Sequence, residues 1–341
     1  MKKNRAERRR VAARATILTA RGPGAIALLQ MHGACEREVL APLAKLTGCA
    51  DWPLGRLRLA PFADIDEGLA ARLTPTVVHL MPHGGPRVVQ RLLEWLAAQG
   101  VQVVRSEGVA ARSLYPEAES EREAEVLRAV SRAASPAAID SLLAQSAFSF
   151  EPQEVTDEDR ARSARLNRLI DPPLVVLAGP PNVGKSTLSN ALVGRSMSIA
   201  LDQPGTTRDY TAAMIELRGL VVRWHDTPGL HETSDRIEAR AIELSKRLME
   251  VADLLIAMTD ADHEWPDLPR AADLRIANKA DLRRRDDADL SLAAATGEGV
   301  PDLVRRVRDA LVYPGDEAAA ASRPWLFESA ISRPPARPPA M

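Results

Sequence analysis

A chain of 341 residues is long enough for two or three domains, each with its own core. Its composition, 45% hydrophobic and 27% charged, is that of an ordinary globular protein, and a formal net charge of −1 excludes a global field drawing it onto nucleic acid or membrane. Two cysteines, Cys35 and Cys49, cannot build a disulfide framework and lack companions at metal-ligand spacing, so a reducing, cytoplasmic setting is expected. No stretch approaches the ~20 apolar residues of a membrane span, and no membrane partner is expected.

Residues 1–10 carry Lys2, Lys3, Arg5, Arg8, Arg9 and Arg10 with no apolar run behind them, which predicts a solvated basic tail rather than a secretory signal. Residues 11–110 read as an α+β domain. Strands are expected over 16–19 and 25–29, around the turn Arg21-Gly22-Pro23-Gly24. Apolar residues at 39, 40, 43 and 46 predict a helix over 36–46 that stops at Gly48. Strands follow over 56–62 and 76–81, then the turn Pro82-His83-Gly84-Gly85-Pro86, a helix over 87–99 and a strand over 101–104. From 111 to 171 the pattern is helical only, with helices over 117–134, 136–146 and 156–170, and Pro172-Pro173 closes it as a linker. Residues 172–313 alternate strands and helices, the α/β signature of a doubly wound, mostly parallel sheet. From 314 to 341 the composition collapses to Ala, Pro and Arg, which predicts a disordered tail.

The apolar run 174–178 leads straight into Gly179-x-x-x-x-Gly184-Lys185-Ser186 and a helical pattern opening at Thr187. This strand, loop and helix make a phosphate-binding P-loop. Glycines let consecutive backbone N–H groups turn inward, and the helix N-terminus adds partial positive charge. Gly179, Asn182, Val183, Gly184, Lys185, Ser186 and Thr187 are therefore expected to line the phosphates. Lys185 would reach the β- and γ-phosphates, and Ser186 would offer its hydroxyl to Mg²⁺.

Four stretches follow in order. Pro204-Gly205-Thr206-Thr207-Arg208-Asp209 precedes a strand, where a threonine can close onto Mg²⁺ and the γ-phosphate. Asp226-Thr227-Pro228-Gly229 ends the next strand. Asp226 would hold Mg²⁺ and Gly229 would bring its N–H to the γ-phosphate. Asn278-Lys279-Ala280-Asp281 resembles a guanine-binding NKxD motif. The Asp281 carboxylate would accept from guanine N1–H and N2–H₂ and reject adenine by roughly 10³-fold. Finally, 293–299 sits where a backbone N–H meets the base. Together these specify GTP.

At the position where Ras-like proteins carry a water-orienting glutamine, this chain has Leu230, which cannot hydrogen-bond. Either hydrolysis is weak or another group acts. Asn182 reads as a ligand for a monovalent cation that neutralises transition-state charge, or as a plain turn amide.

The motifs at 179–186 and 204–209, with Asp226-Thr-Pro-Gly-Leu-His-Glu-Thr-Ser-Asp235-x-x-Glu238, resemble the TrmE/MnmE-type tRNA-modifying GTPases. The N-terminal stretches 15–29 and 83–90 look like that family's folate-binding, dimerising domain. The resemblance implies a GTPase stimulated by K⁺, which Asn182 would hold with Leu201, Gln203 and Thr206, while Ser186 and Thr207 take Mg²⁺. It assigns the catalytic carboxylate to Glu238, with Lys185 and Asn182 beside it; by residue type alone Glu238 is a solvated helix-face charge. It also implies a homodimer joined through the N-terminal domain, a folate ligand and a tRNA partner. The sequence departs from the pattern where the family has Gly-Glu-Phe-Thr, carrying 106–110 instead. It has no returning helical half, no cysteine after Cys49, and a link at 260–273 too short for one sheet-covering helix. Two alternatives stay open: a ribosome-assembly GTPase of the Era/Der type, which would bind ribosomal RNA, and a GTP-gated scaffold with little turnover.

Overall fold

The computed structural model describes residues 13–19, 24–148, 154–195, 212–227 and 236–327. They form two compact units, divided between Arg128 and Ala129.

The first unit runs β1 (Arg14–Ile17), β2 (Leu29–His32), α1 (Glu36–Thr47), β3 (Leu57–Phe62), β4 (Asp66–Thr74), β5 (Val77–Met81), α2 (Pro86–Ala98), β6 (Gln102–Val103) and α3 (Ala111–Leu114), and the division falls within α4 (Glu121–Arg132). Its sheet has the order β3-β4-β5-β2-β1-β6, antiparallel except for the β1–β6 pair. The expected helix stripe is the buried one: Val39, Leu43 and Leu46 of α1 share a core with Leu92 and Leu96 of α2 and with Leu29, Met31, Phe62 and Leu80 of the sheet. Gly48 ends α1 at φ 68°, the left-handed cap that glycine takes without strain.

Two strands differ from expectation. The strand expected over 25–29 starts only at Leu29, because 24–27 pair with the 82–84 turn: Gly84 N donates to Ala25 O at 3.0 Å and Ala27 N to Pro82 O at 3.0 Å. β4 was not expected at all. Its Asp66-Glu67-Gly68 opening reads as a turn, yet Gly68 is there for packing, since a Cβ would lie 2.6 Å from Met81 O and 2.7 Å from the Phe62 ring.

The second unit holds α5 (Ala138–Ala144), α6 (Asp157–Ile170), β7 (Leu174–Ala178), α7 (Lys185–Arg195), β8 (Ala212–Leu217), β9 (Leu220–Asp226), α8 (Arg236–Val251), β10 (Leu254–Thr259), β11 (Leu274–Ala277), β12 (Leu290–Ser291), α9 (Val300–Leu311) and α10 (Asp316–Ala319). The sheet order is β12-β11-β10-β7-β9-β8, parallel except for the β8–β9 hairpin. This is the expected doubly wound sheet, and every β10 residue is buried. α7 and α9 pack on one face with α5 and α6, and α8 packs on the other with Leu268. The parallel crossovers 260–273 and 278–289 contain no helix. In their place Trp265 lies under the guanidinium of Arg275, 4.1 Å from the ring centre, and donates to Asp287 Oδ2 at 2.8 Å.

The helical segment expected as one piece over 111–171 is shared between the units. α6 begins with a reciprocal capping box: Thr156 Oγ1 accepts from Asp159 N at 3.2 Å, and Asp159 Oδ2 accepts from Thr156 N at 3.0 Å. The tail expected from 314 onwards is corrected for 314–327, which pack against α5 and α6 with Trp325 fully buried. Trp325 N donates to Gln145 Oε1 at 2.9 Å, and its indole donates to Asn167 Oδ1 at 2.9 Å. A single aromatic residue outweighs the Ala/Pro-rich composition around it. The basic tail 1–10 and residues 328–341 lie outside the described residues.

Candidate nucleotide-binding site

The buried strand β7 delivers Gly179 at its carboxyl end, and α7 starts six residues later, so the loop between them sits at the position where parallel sheets bind ligands. Gly179 tolerates no side chain, because a Cβ would collide with Met258 O of β10. Gly184 lies at φ 96° with the Asn278 amide where its Cβ would be. Asn182 adopts φ 61°, a left-handed conformation that asparagine accepts.

Lys185 is only 8% exposed and donates to Gly179 O at 3.0 Å and Pro180 O at 2.9 Å. Burial lowers its pKa below the usual lysine value, opposed by Asp226, and burial raises Asp226, opposed by Ser186 and Lys185. Ser186 Oγ donates to Asp226 Oδ2 at 2.9 Å, so the α7 hydroxyl and the β9 carboxylate converge. A phosphate oxygen beside Lys185 and a divalent cation beside Asp226 would each reverse the burial penalty, and this hard-oxygen pair fits Mg²⁺. Val183 is buried with its carbonyl turned to Asn278, while Thr187 is exposed at the start of α7.

The NKxD loop after β11 is wired into the P-loop from two strands away. Asn278 Nδ2 donates to Val183 O at 2.8 Å, and its Oδ1 accepts from Ala294 N at 2.9 Å, so one buried amide joins three loops. Lys279, at φ 59°, donates to Asn182 O at 3.0 Å. Asp281 is exposed at the loop's end. Sequence reasoning missed Asp260, which follows the last residue of β10, is 1% exposed and accepts from Lys279 Nζ at 2.7 Å. Burial pushes its pKa up, but hydrogen bonds from Lys279 and His263 more than offset this and leave it at about 2. An acid directly after a fully buried strand was the available signal.

Gly179, Asn182, Val183, Gly184, Lys185, Ser186, Asp226, Asn278 and Lys279 are thus brought together. Leu201, Gln203, Thr206, Thr207, Gly229 and Leu230 lie outside the described residues, and Glu238 is placed on α8 by its backbone alone. His225 and Trp224 are core residues: burial lowers the imidazole's pKa below its ordinary value, and the indole donates to Ser189 Oγ at 3.0 Å. Among the described residues no cluster of three or more His, Cys, Asp or Glu side chains could hold a metal, and no helix is long and apolar enough to cross a membrane.

Residues 174–286 match the family described as 50S ribosome-binding GTPase. A tRNA modification GTPase MnmE of Ruegeria sp. is 43% identical over 137 residues, covering 40% of this chain and 32% of that protein. A protein of the same description from Nitratidesulfovibrio vulgaris is 30% identical over 370 residues, covering 87% of this chain and 81% of that one. Among solved structures, the FeoB G domain of Methanococcus jannaschii is 26% identical with a TM-score of 0.31, over 41% of this chain and 97% of that one.

Proposed function

The chain belongs to the family of the tRNA modification GTPase MnmE, and from that premise we propose that this GTPase hydrolyses GTP with Mg²⁺, is stimulated by K⁺, and serves tRNA modification. The observation that carries the reading is the single polar network through which Asn278 and Lys279 fasten the guanine loop to the P-loop. The Lys185 ammonium would neutralise charge on the β- and γ-phosphates. Ser186, Thr207 and Asp226 would hold Mg²⁺, which supplies charge stabilisation where the leaving oxygens develop it. Asn182, with Leu201, Gln203 and Thr206, would hold K⁺, which would neutralise charge developing on the phosphates. Leu230 offers no hydrogen bond, so the Glu238 carboxylate on α8 is assigned to orient the attacking water.

The N-terminal unit is assigned to homodimerisation and to a folate, on its resemblance to the family's first domain and on the 87% of this chain that the Nitratidesulfovibrio alignment covers. The test compares GTP turnover by the purified protein in KCl and in NaCl. K⁺ stimulation of roughly tenfold or more is expected, lost in Asn182→Ala, with kcat rather than KM falling in Glu238→Ala. Equal turnover in both salts would refute the cation assignment. Retention of tRNA, and not of ribosomal subunits, with a non-hydrolysable GTP analogue separates this reading from a ribosome-assembly role.

A further inference from the structure

We propose that Asp260 is a positioning residue that holds Lys279 as a strap between the guanine loop and the P-loop, and so sets how long the nucleotide is retained. The inference rests on the GTPase reading above and adds a residue to it. Lys279 has a left-handed backbone, φ 59°, which lysine does not favour, and its ammonium reaches a second left-handed residue, accepting partner Asn182 O at 3.0 Å. Those two left-handed positions belong to different loops, 97 residues apart in sequence. What pins the lysine between them is Asp260 Oδ2, at 2.7 Å.

Asp260 is itself held on every side. Its Oδ1 accepts from His263 Nδ1–H at 2.6 Å and from Asp262 N at 3.0 Å. Arg285 Nη1 donates to Asp260 O at 3.1 Å, and Thr259 Oγ1 donates to His263 O at 3.0 Å. The crossover 260–273, which has no helix, thus supplies a rigid seat for one carboxylate. A buried carboxylate with both oxygens engaged fixes its lysine far better than an exposed ion pair does. Because the Lys279 ammonium is turned to the P-loop backbone, Asp260 acts on the cleft as a whole, whereas the Asp281 carboxylate would read the base edge.

The experiment follows release of a fluorescent GDP analogue from the full-length chain by stopped flow, with a parallel set using an IDP analogue. In Asp260→Asn the release rate should rise roughly tenfold to a hundredfold, the loss of one charge-assisted hydrogen bond, and by the same factor for both bases. KM for GTP should rise more than kcat falls, and half-saturation by K⁺ should shift upward because Asn182 loses its fastening. Asp260→Asn combined with Lys279→Ala should release no faster than Lys279→Ala alone. Unchanged release in a folded Asp260→Asn variant, or additive effects in the double variant, would overturn the proposal while leaving the GTPase reading standing. Absence of guanine nucleotide binding by the unmodified protein would overturn both. If Asp260→Asn does not fold, His263→Ala keeps the carboxylate and removes one of its anchors. Faster release there supports the strap, and unchanged release refutes it.

Discussion

Gly179 shows how a single residue carries both fold and chemistry. Its α-carbon lies so close to the Met258 carbonyl of the neighbouring strand that any side chain must displace the start of the P-loop. Gly179→Ala is expected to weaken GTP binding by roughly a hundredfold or more and to cost about 1–3 kcal/mol of stability as the strand pair shifts. A titration with a fluorescent GTP analogue checks the first effect and thermal unfolding the second; affinity within a few-fold of the unmodified protein would mean the loop has slack that these contacts deny. Gly184 adds a second demand, because φ 96° and the adjoining Asn278 amide both exclude a side chain. The motif spelled these two glycines out, but it did not reveal that their neighbours are Met258, on β10, and Asn278, just past the end of β11.

At the scale of elements, α6 and the segment after α9 depend on each other. Asp159 is fully buried, caps α6 with Thr156, and is paired with Arg162 and with Arg323 of the C-terminal segment. Burial raises its pKa, but the hydrogen bonds from Arg323 and Thr156 outweigh that and hold the carboxyl well below the usual range. A group whose folded pKa lies below its unfolded value contributes stability above the unfolded pKa, about 4, and loses it as pH falls further. Thermal stability should therefore decline steeply below about pH 4, and Asp159→Asn should flatten that acid limb while costing about 3–5 kcal/mol at neutral pH. Unfolding curves from pH 3 to pH 7 decide this, and an unchanged acid limb in the variant would show that other carboxylates control it. Trp325 and Phe327, with ring centroids 5.7 Å apart, seat the same segment. Composition pointed to a structureless tail here, because an Ala- and Pro-rich window hides one indole whose partners, Gln145 and Asn167, lie more than 150 residues upstream.

Among the described residues the two largest cores share no residue, one built on β1–β6 and one on β7–β12. Calorimetry of the full chain should resolve two transitions. GTP with Mg²⁺ at a hundredfold over Kd should stabilise the unit holding the P-loop by about 2.7 kcal/mol and leave the other transition in place. A single transition that moves as one would show that the units unfold together.

The sequence by itself determined the ligand. A P-loop meets phosphate with consecutive backbone N–H groups and a helix start, so its identity is written in adjacent residues, and the proposed reading of the base by NKxD rests on residues just as local. Strand and helix periodicity likewise predicted most elements of both sheets, since burial on one or two faces leaves a short-range pattern. Only the tertiary structure decided the rest. The packing of 314–327 and the Asp260–Lys279–Asn182 strap arise from groups distant along the chain that meet once the sheets are assembled, whereas β4 pairs with its sequence neighbours β3 and β5 and was hidden by its turn-like Asp66-Glu67-Gly68 opening. Asp260 shares its stretch with Asp262 and Glu264 and has many possible partners in sequence, and burial beside Lys279 selects among them.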